Sequence, residues 1–171
     1  MQLSPARPVS RLPIAYPCEP PAYPMKAVHI VVGVLCIALV GGAGLWGAFC
    51  WQRGSDSRWF WRALRAGQVA VVVEAGLGGI LLLLGDKEPS LHLLYGLLPL
   101  AVSFVAEQLR IASAQMVLDG RGLESAAAVG ELPESEQRRV VLSILQRELG
   151  VMVIAALVML VLLIRAAATG G

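Results

Sequence analysis

Residues 27–51 read AVHIVVGVLCIALVGGAGLWGAFCW, an unbroken run without a formally charged side chain. A hydrocarbon core about 30 Å thick is crossed by roughly 20 helical residues, so this run is long enough to span a bilayer. Three more apolar stretches follow, at about 67–84, 91–109 and 149–165. With 57% hydrophobic residues and a mean hydropathy of +0.70, the 171-residue chain does not describe a soluble core. The reading is an all-α fold, a four-helix transmembrane bundle with the lipid bilayer as its solvent, over residues 25–171.

What precedes the first span is different in kind. Residues 1–24 hold seven of the ten prolines, and such a tract cannot propagate a helix. It reads as a disordered tail, and Met25-Lys26 directly before the span suggests a second possible start. No Ala-x-Ala site follows the apolar run, which argues against a cleaved signal peptide. Lysine occurs only at 26 and 87 against twelve arginines, a composition that suggests a GC-rich bacterial genome. A net charge of +2 gives no reason to propose nucleic acid as a partner. Cys36 and Cys50 lie about 21 Å apart along one helix and cannot pair with each other, so neither a disulfide nor a metal framework is expected.

Small residues mark the packing faces. Gly33, Gly44 and Gly47 share a helical stripe with His29, Cys36 and Val40, and glycine inside a membrane lets a neighbouring helix approach closely. Trp46, Phe49, Trp51, Trp59, Phe60 and Trp61 read as an interfacial belt, with Trp59–Arg65 expected along the membrane surface. The short loop Gly85–Ser90 predicts that spans two and three are antiparallel neighbours. The pattern of span three continues to about Leu118, some 42 Å of helix, so its end should project beyond the core. Asp119–Leu132 reads as loop. Pro133 and the acids after it open a long helix, expected to run to about Arg165.

Lys and Arg counts give the orientation. Loops one and three, with Arg110 at the membrane edge, carry nine such residues, and the other side carries five. Both termini are therefore expected outside a bacterial cytoplasmic membrane, with the long third and fourth helices projecting on the cytoplasmic side.

Span three carries the one extended polar stripe: His92, Tyr95, Pro99, Ser103, Glu107 and Arg110 fall within about 60° of one line at 100° per residue. That face should look into the bundle, because polar groups turned to lipid are costly. Glu74 in span two is expected at the depth of Glu107 and Arg110, giving an intramembrane cluster of Glu74, Tyr95, Ser103, Glu107 and Arg110. His29 and His92 enter from the same side at matching depth. Interfacial packing is the plainer reading, and bis-imidazole ligation of haem b is the alternative.

The stretch Leu91-His92-Leu93-Leu94-Tyr95-Gly96, followed by Ala106-Glu107-Gln108-Leu109-Arg110, resembles an uncharacterised family of small four-span bacterial membrane proteins. The likeness extends to His29-Ile30-Val31-Val32 and to 59–68, and it implies architecture without a reaction. Two functional classes remain open: a non-catalytic subunit or accessory protein binding other membrane proteins or copies of itself, and a haem- or quinone-associated redox protein using His29 and His92. A small dimeric transporter is a third. No catalytic constellation of His, Cys or Ser supports an enzyme.

Overall fold

Prolines open three of the long helices of this chain, and glycines follow the ends of all four. The computed structural model describes residues 23–87 and 89–170. Helix α1 is Tyr23–Gln52, with Pro24 in its first turn, where the missing N–H costs nothing. Helix α2 is Arg58–Leu83, α3 is Ser90–Asp119 after Pro89, and α4 is the short Ala126–Gly130. Helix α5, Glu134–Thr169, follows Pro133 and carries Glu134 and Glu136 in its first turn, at the positive end of the helix dipole. Gly54, Gly85 and Gly122 all have positive φ and end α1, α2 and α3. At each, the next residue's N–H returns to a carbonyl five residues back, as in Asp86 N to Leu81 O at 3.1 Å.

Four of these helices are long and apolar enough to cross a membrane. They form an up-down-up-down bundle in the cyclic order α1, α2, α3, α5, with α1 packed on α2 and α5, and α3 on α5. We call the end where α1 starts and α5 finishes the terminal end, and the opposite one the arginine-rich end. Three sides of the bundle are closed and the α2–α3 side is loose. Spans two and three are thus joined by a short loop without packing closely, because α3 makes its main contact with α5. Only 11% of the apolar stretch of α3 and 17% of that of α2 are buried, against 39% for α5.

Close approach follows from the glycine stripe on α1. A Cβ at Gly44 would sit 3.1 Å from Leu157 of α5, and one at Gly67 of α2 would sit 2.9 Å from Val40. In lipid the hydrophobic effect does not drive helix association, so this contact of surfaces is what holds the bundle. Cys36, Val40, Phe60, Leu64, Met152, Ala156 and Met159 fill the centre.

Two details differ from the sequence reading. Trp59–Arg65 is not a separate surface segment but the opening of α2: Phe60, Leu64, Gly67 and Val71 form one buried face at helical spacing, so the helix continues through it. The loop before α5 contains α4, capped by Ser125, whose Oγ accepts from Ala128 N at 3.4 Å. Gln137 of α5 holds that loop by donating to the carbonyls of Gly130 and Leu132. The proline-rich head up to residue 22 lies outside the described residues, and Pro24 and Met25 are already in the first turn of α1.

Candidate functional site

The polar side chains inside the bundle form two clusters. The first lies toward the terminal end, where all four long helices contribute. His29 of α1 meets Glu74 of α2, with Nδ1 3.1 Å from Oε1, both side chains largely buried. Gly33, one turn further along α1, makes room for that carboxylate: a Cβ there would sit 2.8 Å from Glu74 Oε1. His92 of α3 turns its ring against His29, the centroids 6.0 Å apart and the planes at 76°. Its Nδ1 lies 2.9 Å from the carbonyl oxygen of Ala166 in α5. Lys26 and Asp86 pair at 2.8 Å closer to the surface. Tyr95 lies under the guanidinium of Arg165, 5.7 Å from the ring centroid.

The second cluster bridges the loose α2–α3 side. Glu107 accepts from both terminal nitrogens of Arg65 and from Gln68 Nε2 at 3.1 Å. Gln68 Nε2 also reaches Ser103 Oγ at 2.9 Å. Arg110, one turn along, contacts Glu107 at 3.4 Å and lies over the Trp61 ring. Beside this network runs a groove of about 300 Å³ walled by Val69 and Val72 of α2 and by Leu100 and Phe104 of α3.

The expected single cluster is therefore two. Glu107, Ser103 and Arg110 stand together, but Glu74 belongs with the histidines and Tyr95 with Arg165. The cause is the true start of α2. Counted from Arg58, Glu74 lies about 24 Å along the helix, well past the level of Glu107. Arg65 and Gln68 occupy that level instead. Neither stood out in the sequence, because Arg65 was assigned to a surface segment and Gln68 is uncharged. Their three-residue spacing, repeated as four between Ser103 and Glu107, is the signal that pairs the two faces.

A double-mutant cycle separates the two arrangements. Glu74→Leu and His29→Ala are expected to couple by about 1 kcal/mol in detergent unfolding, and Glu74→Leu and Arg110→Ala to be additive. Coupling of Glu74 to Arg110 alone would contradict the geometry.

The chain matches no family model, and comparison with curated proteins and with solved structures finds no significant likeness.

Proposed function

We propose that this multi-pass membrane protein is a non-catalytic subunit or accessory protein, and that its α2–α3 groove receives a transmembrane helix of a partner membrane protein. The observation that carries this reading is the loose α2–α3 side. The two helices are bridged at the arginine-rich end by the Glu107 network and leave an apolar groove beside it. Extending the pairing of Gln68 with Ser103 along two antiparallel helices brings Gly76 within one residue of the level of Gly96. A Cβ at either glycine would have nothing within 4 Å. Glycine there costs helix stability of about 1 kcal/mol each and serves no packing within the chain. A groove walled by Val69, Val72, Leu100 and Phe104 over the Gln68–Ser103 contact, with bare glycines further along the same side, suits close packing of another helix.

The test is a photo-cross-linking side chain placed at Phe104 in native membranes, with Val161 on the lipid-exposed face of α5 as control. A discrete protein adduct at 104 and none at 161 is the expected result. Equal, diffuse labelling at both positions would remove the docking reading.

The same proposal sets the protein in a bacterial cytoplasmic membrane with both termini outside and the arginine-rich end in the cytoplasm, following the Lys and Arg distribution. Glu124, exposed in the loop before α4, is a suitable reporter. A Glu124→Cys variant lacking the native cysteines is expected to resist an impermeant thiol reagent in intact cells and to react after permeabilisation. Rapid labelling of intact cells would reverse the orientation.

A further inference from the structure

We propose that His29 and His92 form a binding site for one transition-metal ion of the imidazole-preferring class, Cu²⁺ ahead of Zn²⁺. Three observations independent of the docking groove carry it. The two rings come from α1 and α3, on opposite corners of the bundle, yet their centroids are 6.0 Å apart. Two imidazoles joined through one ion by metal–nitrogen bonds of about 2 Å have a separation in the same range.

The second observation is the state of the ring nitrogens. The Ala166 carbonyl can only accept, so at 2.9 Å it holds the His92 proton on Nδ1. The Glu74 carboxylate lies 3.1 Å from His29 Nδ1 as an ionic contact, without a hydrogen bond between them. With its Nδ1 proton donated to the Ala166 carbonyl, His92 keeps its lone pair on Nε2. A carboxylate or backbone carbonyl on the far nitrogen is the outer support that metal-binding imidazoles use to fix tautomer and orientation.

The third is the charge left over. Glu74 Oε2 is buried without a hydrogen-bond partner, a negative group that a bound cation would balance. Asp86 does not compete, being paired with Lys26. A Cβ at Gly78 would lie 3.4 Å from His29 Cε1, so the ring is seated directly against the α2 backbone. Haem b suits this packing less well than a bare ion, since a macrocycle between the rings would have to part α1 from α3. Among the described residues no group of three or more His, Cys, Asp or Glu side chains is placed to hold an ion. The protein thus supplies two ligands and leaves positions for water or a small ligand. For such a nitrogen site the order of affinities puts Cu²⁺ above Zn²⁺.

The full chain, purified in mild detergent and stripped with a chelator, is titrated with Cu²⁺ against a competing chelator and followed by electron paramagnetic resonance. The expected result is one ion per chain with two nitrogen donors. His29→Ala and His92→Ala should each lose that signal, and Glu74→Gln should weaken binding about 10–100-fold while keeping two nitrogens. The nitrogen count is read on the unsubstituted protein, so a variant that fails to fold does not shelter the proposal. A spectrum without two coupled nitrogens, or copper retained by a folded His29→Ala/His92→Ala variant, would overturn it.

Discussion

Gly47→Val is expected to destabilise the bundle by about 3 kcal/mol in detergent, at the upper end of the range for overpacking. Gly47 sits where α1, α2 and α5 meet. A Cβ there would overlap the Phe60 ring and lie 2.7 Å from Val153 Cγ2. Phe60 and Val153 are themselves fully buried and have no space to retreat into. The substitution therefore has to separate helices, and in lipid that contact is what holds them together. Gly42→Val is the matched control, since a Cβ at Gly42 meets nothing within 4 Å. The two variants, unfolded side by side by a denaturing detergent, should differ by several-fold in midpoint shift. Equal stability would mean that the α1–α2–α5 junction is not packed as described.

Glu107→Leu is the second large effect, expected at about 2 kcal/mol. Breaking a buried ion pair by removing one partner costs about 3–5 kcal/mol, because the other charge is left unmet. Here Arg65 is nearly half exposed, so solvent screens part of that cost. The loss is nonetheless shared by Gln68 and Arg110, which both use the same carboxylate. Replacing Arg65 and Glu107 together by leucine should be milder than Glu107→Leu alone. A double variant worse than the single would show that the pair itself, rather than the orphaned arginine, carries the stability.

How far the sequence foretold this arrangement depends on which signal each feature leaves. The four spans were legible because composition alone decides whether a helix can sit in hydrocarbon. The long α3 and α5 were legible because the pattern of α3 runs on to about Leu118 and Pro133 opens α5; Pro99 lies inside α3 without ending it. The opening of α2 was missed: tryptophan and arginine suggested a membrane surface, and the buried Phe60–Leu64–Gly67–Val71 face was overlooked. That error moved Glu74 to the wrong level, and the wrong level hid its pairing with His29. His29 and His92 were brought into one frame by counting from span entries, which works near helix ends where little error accumulates. Which helices pack and which stand apart left no trace in the sequence. The short loop after α2 made α2 and α3 antiparallel neighbours, but how loosely they pack, with α3 lying mainly on α5, could not be read from it.

The loose α2–α3 side is the centre of the functional account, and Gly76 tests it most directly. A Cβ at Gly76 meets nothing within 4 Å, so Gly76→Ile is expected to keep the bundle folded with an unfolding midpoint no lower than that of the unsubstituted protein. In native membranes the same variant should lose the protein adduct formed by a photo-cross-linker at Phe104, because the side chain stands in the path of a helix continuing along the groove. An adduct of undiminished yield in the folded Gly76→Ile protein would contradict the account.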